Sequence, residues 1–143
     1  ILSGRKVNDN MPIYIVNKLI LTLLNKYKTI NNKKILILGY SFKENCSDFR
    51  NSKVIDIVDS VIKHKMKPHV YDPHIKKEYV NNYQKKYIVN NPSKNYYDAI
   101  ILAVAHDEFK KLGINKILSY SKDTIILFDI KGVFPKKYSN FRL

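Results

Sequence analysis

"LILGYSFKENCSDFRNS", residues 36–52, is the stretch whose reading decides the fold. An apolar run ends at Gly39, a polar loop follows, and Ser52 stands directly ahead of a segment with helical periodicity. Starting at Lys34, "KILILG" shows no alternation of apolar and polar residues, as expected of a strand covered on both faces in a parallel sheet. Gly39 sits where a nucleotide-binding turn begins, yet the G-x-G-x-x-G fingerprint is absent. Without the second and third glycines the backbone cannot closely approach a pyrophosphate, so side chains are expected to make the contacts. Lys43 and Arg50 are the cations of this loop.

Downstream, Val54, Ile55, Ile57, Val58, Val61 and Ile62 recur at helical intervals to about Lys65, with Asn51 or Ser52 as the cap and Pro68 as the breaker. "HVYDP" (69–73) reads as a second strand, and a single helix between two strands implies a right-handed parallel crossover. "KKYIVN" (85–90), flanked by lysines, reads as a short edge strand. "DAIILAVAH" (98–106) is a buried strand, helical material continues over 108–121, and "TIILFD" (124–129) is the last strand. The residues after Lys131 read as a tail.

This order predicts an α/β fold: a Rossmann-like three-layer sandwich with a mostly parallel sheet of about five strands, preceded by a long helix. A flavodoxin-like strand order is the alternative. In both, the ends of the first, second, fourth and fifth strands share the edge of the sheet where ligands bind.

Upstream, Val7, Met11, Ile15, Val16, Leu19, Ile20, Leu23 and Leu24 lie at helical spacing, with Pro12 tolerable only near a first turn or at a kink. Ile13 and Leu21 fall off this stripe. More than one side of the helix is therefore expected to be covered, by the rest of the domain, an upstream domain or a second subunit. The helix is assigned to residues 1–30 and the domain to 31–143.

A chain of 143 residues suits one hydrophobic core. It opens on Ile1-Leu2 and shows no charged leader with an apolar core, so it reads as the tail of a longer polypeptide without a signal peptide. No apolar stretch approaches the ~20 residues needed to span a bilayer, which predicts a soluble protein. Cys46, the lone cysteine, excludes an intrachain disulfide and a multi-cysteine zinc site, and agrees with a reducing cytoplasm. The net charge of +14 suggests nucleic acid, but of 26 basic residues only Arg5, Arg50 and Arg142 are arginines, and the lysines are spread along the chain. That distribution reads as compositional bias rather than a nucleic-acid surface.

At the loop, an anion would meet both the positive end of the following helix and the Lys43 ammonium, and phosphate is the natural guest. On charge alone, a lysine merely solvated in a lysine-rich chain reads equally well. Asp48 reads as an organiser of the loop, pairing with Arg50 or accepting backbone N–H groups. Asp72 reads as a turn former before Pro73, and His106 and Asp107 as caps or neighbours of a ligand. His64, His69 and His74 lack metal-ligand companions.

"GYSFKENCSDFRNSKVIDIV" (39–58), followed by "VYDPH" (70–74) and "AVAHDEF" (103–109), resembles the C-terminal domain of the UDP-glucose/GDP-mannose dehydrogenase family. The wording F-K-E-N-C-x-D-x-R-N-S-K-V, with "GRKVNDNMP" (4–12), looks most like the branch that oxidises UDP-N-acetylhexosamines for capsule and O-antigen synthesis. The resemblance implies an enzyme in three parts: an N-terminal NAD-binding Rossmann domain, a long central helix that forms a homodimer, and a C-terminal domain for the UDP-sugar. This chain would hold the end of the helix and the third part. The catalytic cysteine would lie upstream in a G-G-x-C motif, so Cys46 is not the nucleophile and the chain alone is inactive.

By the same resemblance, Phe42 and Lys43 fall on a pair that contacts the UDP-sugar, and Arg50 on an arginine that reaches across to the NAD. Lys131 stands where the family often has a substrate-binding arginine, a departure because an ammonium cannot reproduce the guanidinium fork. Rival readings are an assembly module built on the 7–24 helix and, last, a lysine-driven nucleic-acid binder.

Overall fold

The run that ends at Gly39 is the centre of the molecule. In a computed structural model, which describes the backbone of residues 2–143 and side chains from residue 10 onward, Lys34–Leu38 forms β1. It pairs in parallel with Lys67–Tyr71 (β2) on one side and Ala99–Leu102 (β3) on the other. Leu127–Asp129 (β4) lies beyond β3, also parallel, so the sheet order is β2-β1-β3-β4.

Ile35 and Ile37 enter one hydrophobic layer and Leu36 and Leu38 the other, all fully buried. Successive side chains of a strand point to opposite faces, so a strand covered on both sides is apolar throughout. Leu2–Tyr27 (α1) and Lys53–Lys63 (α2) cover the first face through Ile15, Leu19 and Leu23 and through Ile57, Val58 and Val61. Asp107–Leu112 (α4) and Ile114–Leu118 (α5) cover the second, with Phe109 and Ile117 packed beside Tyr97 and Tyr120. The three-layer reading holds.

Ser52, rather than Asn51, caps α2 by accepting the Val54 N–H at 3.2 Å. Asn51 instead takes the left-handed turn into the cap, at φ 62°. The helical material after residue 107 is split by Gly113, whose φ of 82° ends α4.

Two expectations fail. Residues 85–90 do not form a strand. Asn82–Lys85 is a short helix (α3), capped by the Asn81 side chain on Gln84 N, and the pairing beyond it is a single parallel bridge between Val70 and Ile88. Gln84 explains the override. Its buried amide accepts the Tyr40 hydroxyl at 2.5 Å and donates to Asp59 at 2.6 Å and to Ile55 O at 3.1 Å, pinning this segment to α2. The sheet thus has four strands, not about five. The four formed strands follow the 2-1-3-4 order that a flavodoxin-like sheet also has, and the isolated bridge at Ile88 lies outside β2, where a Rossmann half carries its third strand.

The segment after Lys131 is not a loose tail either. It returns along β4, with Phe141 bridged to Phe128, Asp129 N bonded to Phe141 O and Asn140 N to Leu127 O, so the exposed edge of the sheet is paired.

On α1, Ile13 and Leu21 are each 58% exposed and Leu24 is 40% exposed, so the domain covers only one side of this helix. The buried side shares a core with α2 across the boundary drawn at residue 30. No helix among the described residues is long and apolar enough to cross a membrane.

Candidate functional site

Gly39 ends β1 at φ 100°, and a Cβ there would sit 2.5 Å from Val104 Cβ. The glycine is therefore required where the ends of β1 and β3 pass each other, not by a bound phosphate. No glycine-lined cradle for a dinucleotide is built at this turn.

Beyond Gly39 the chain forms a loop tied to its neighbours by buried polar groups. Asp72, at the end of β2, accepts Tyr40 N at 2.6 Å and Ser41 N at 3.0 Å through Oδ2, and His74 N at 2.8 Å through Oδ1. Burial pushes its carboxyl up, but the bonds from His106, Tyr40 and His74 outweigh this and hold it below the ordinary range.

His106, at the start of α4, is fully buried. Its Nδ1 lies 2.9 Å from Asn45 N, whose hydrogen it must accept, so the ring proton is on Nε2. From there it is donated to Asp72 Oδ2 at 2.8 Å, with Ser41 Oγ 3.1 Å away. Ser41 Oγ in turn donates to Lys43 O at 3.0 Å, and Asn45 Oδ1 accepts Asp107 N at 2.9 Å.

With the stem held in this way, Phe42 and Lys43 project into solvent, Phe42 being 59% exposed. They stand on the rim of a cleft of about 330 Å³, at the low end of small-molecule sites. Part of its wall is apolar, from Pro12 and Ile15 of α1 and Val54 and Ile57 of α2, and Lys131 beyond β4 also lines it. Ser52 and Lys53 bring the positive end of α2 to the same space. Among the described residues, neither the Lys43 nor the Lys131 ammonium is engaged in an internal ion pair. Glu44 also lines the cleft, but Lys43, Lys53 and Lys131 outnumber it, and a lining of net positive charge with an apolar wall suits an anion joined to an apolar or ring-bearing body.

Arg50 lies elsewhere. Its guanidinium forks onto Asp48, Nε to Oδ1 at 3.0 Å and Nη2 to Oδ2 at 2.9 Å, and its side chain is 84% exposed outside the cleft lining. The Arg50 side chain and backbone N–H hold the Asp48 carboxyl at about 2. Asp48 is thus the loop organiser expected of it, and Cys46 Sγ accepts the Asp48 N–H at 3.4 Å.

Reasoning from the sequence undervalues Asp72 and His106. Asp72 does form the turn at Pro73, but it is also the acceptor to which the loop is tied, and His106 occupies a cap position without capping α4 by its side chain. The available signal is their placement: an acid and an imidazole, each ending a strand on one sheet edge. The ligand atoms of His74, His106 and Glu108 lie within 4.8 Å of one another. Both His106 nitrogens are already committed, which leaves two donors, short of the three or four that zinc takes.

Comparison with known proteins places this geometry. Residues 36–136 match the model of the UDP binding domain of the UDP-glucose/GDP-mannose dehydrogenase family. Over its full length the chain is 39% identical to the UDP-N-acetyl-D-glucosamine 6-dehydrogenase of Salmonella typhi and 38% identical to that of Pseudomonas aeruginosa, and it spans about a third (34%) of each. A solved NDP-N-acetyl-D-galactosaminuronic acid dehydrogenase from Methanosarcina mazei superposes with a TM-score of 0.79 at 26% identity, covering 96% of this chain and 28% of that one. From the matched loop and strand ends to the full-length relatives, these findings agree: the chain belongs to the UDP-glucose/GDP-mannose dehydrogenase family.

Proposed function

We propose that this chain is the nucleotide-sugar-binding domain of an NAD-dependent UDP-sugar 6-dehydrogenase, working in the cytoplasm on a UDP-N-acetylhexosamine for surface polysaccharide synthesis. The observation that carries the reading is the cleft at the strand ends, which gathers Phe42, Lys43 and Lys131 around one space. The activity printed for the Salmonella and Pseudomonas relatives supports the choice of sugar class.

In this reading the Lys43 and Lys131 ammonium groups neutralise the diphosphate, and the N-terminus of α2 adds its partial charge. Lys131 acts as a point charge, without the bidentate geometry of an arginine. The Phe42 ring and the apolar wall exclude water and fix the orientation of the ligand.

NAD, the hydride acceptor for oxidation at C6, belongs mainly to an upstream domain, in keeping with the missing glycine cradle at Gly39. Arg50 is the one group assigned to it here, presented from the outer side of the loop with its fork stiffened by Asp48.

Calorimetric titration of UDP into the chain tests the reading. Measurable binding is expected, with Lys43→Ala weakening it about tenfold, the size of one charge-assisted contact. A folded chain that takes up no UDP overturns it.

The exposed Ile13, Leu21 and Leu24 favour a homodimer through α1 as well. Sedimentation of the same samples at rising concentration is expected to show dimers, and a strict monomer would rule that part out.

A further inference from the structure

We propose that His106 is a positioning residue for the ligand loop, setting where Lys43 stands by holding the Asn45 N–H. The proposal rests on the nucleotide-sugar reading of the cleft. His106 does not line that cleft, so any influence on a ligand passes through the loop.

The loop is held at two places on either side of Lys43. Before it, Tyr40 N and Ser41 N bond to Asp72; after it, Asn45 N bonds to His106 Nδ1. His106 and Asp72 are themselves joined through Nε2 at 2.8 Å. A third link runs from Nε2 through Ser41 Oγ to the carbonyl of Lys43 itself. Three of the links around the residue that carries the charge therefore converge on one buried imidazole–carboxylate pair, beside the Phe42 N–H, which is donated to Asp48 O at 2.7 Å within the loop.

The position demands an acceptor toward the loop and a donor toward Asp72 from one rigid ring. Neutral imidazole supplies both at once. Around the ring, His74 lies tilted at 4.4 Å between centroids and Phe109 tilted at 5.5 Å, so the imidazole is packed between two rings. Asn45 takes φ 58°, and its side-chain bond to Asp107 N holds the loop against α4 from the other side.

Two substitutions separate these bonds. His106→Asn places an amide oxygen near the Nδ1 position and loses the donor to Asp72; His106→Gln places an amide nitrogen near Nε2 and loses the acceptor for Asn45. UDP titration and amide hydrogen exchange over residues 41–48 are read on both variants of the 143-residue chain.

His106→Asn is expected to retain UDP affinity within about threefold and to keep Asn45 protected, whereas His106→Gln weakens UDP about tenfold and speeds exchange at Asn45 by a similar factor. If both variants lose affinity only in step with thermal stability, or the order is reversed, the residue is merely structural and the proposal is overturned.

Should neither variant fold, nitrogen-15 NMR of the wild-type imidazole decides: a neutral ring protonated at Nε2 and coupled to the Asn45 amide supports the assignment, and a proton on Nδ1 refutes it. Failure of the wild type to bind UDP would remove the nucleotide-sugar reading alone. The exchange contrast at Asn45 would still test His106.

Discussion

The two halves of the loop between β1 and α2 carry similar numbers of polar groups and use them in opposite ways. Between Tyr40 and Asn45 the N–H groups of Tyr40, Ser41 and Asn45 are bonded outward, to buried groups at the ends of β2 and β3, while Phe42 N turns to Asp48 O at 2.7 Å. From Cys46 to Arg50 the bonds are internal, with Asp48 accepting the Arg50 backbone and side-chain N–H groups at the surface. The first half inherits the rigidity of the sheet, while the second depends on one exposed ion pair, of a kind that solvent and salt weaken. Phe42 and Lys43, two of the three residues assigned to the UDP-sugar, sit on the rigid half, and Arg50, assigned to NAD, sits on the second half. A substrate contact benefits from fixed geometry; a contact across to another domain tolerates some give.

Breaking the rigid half has the largest effect. Asp72→Ala strands the proton of His106 and the N–H groups of Tyr40, Ser41 and His74 in a buried space, at a cost of roughly 3–5 kcal/mol. Urea unfolding reads this directly, and a loss under about 1 kcal/mol would mean the stem is not anchored as described.

Lys43→Ala is the intermediate case because it separates anchoring from use. Its stability stays within about 0.5 kcal/mol of wild type, as for an exposed side chain, even though UDP binding weakens. A large drop in the unfolding midpoint would show that the lysine supports the fold after all.

Asp48→Asn has the smallest effect. The folded carboxyl is held at about 2 against an ordinary 3.8, so the contribution of the pair is present above about pH 4 and is lost as pH falls toward 2. Wild type and variant are therefore expected to differ little at pH 7 and to converge below pH 2, as followed by NMR of the Arg50 Nε–H and by thermal midpoints. A loss at pH 7 as great as that of Asp72→Ala would erase the contrast between the halves.

Particular residues show where reading the sequence succeeds and where it stops. "KILILG" is legible because a strand buried on both faces has no room for polar side chains, and Ser52 is legible because a helix start needs a local oxygen. Segment 85–90 is misread for the converse reason. Tyr87, Ile88 and Val89 favour a strand locally, but the Gln84 anchor to Tyr40 and Asp59, residues 44 and 25 positions away in the chain, decides the backbone. Phe42, Lys43 and Lys131 are assigned by resemblance, and the fold brings them to one cleft. Arg50 is assigned by the same route, and its fork on Asp48 reflects their nearness in sequence.

From its sequence alone this protein is determined as a parallel α/β chain of the dehydrogenase family with a charged loop after the first strand, since strand burial, helix capping and the loop motif are all local. The tertiary structure alone decided that Gly39 makes room for Val104 and that Asp72 and His106, from the ends of different strands, jointly hold the loop. The physical reason is that a buried hydrogen bond needs its partner at about 3 Å, and only the packing of the whole sheet brings groups so distant in sequence that close.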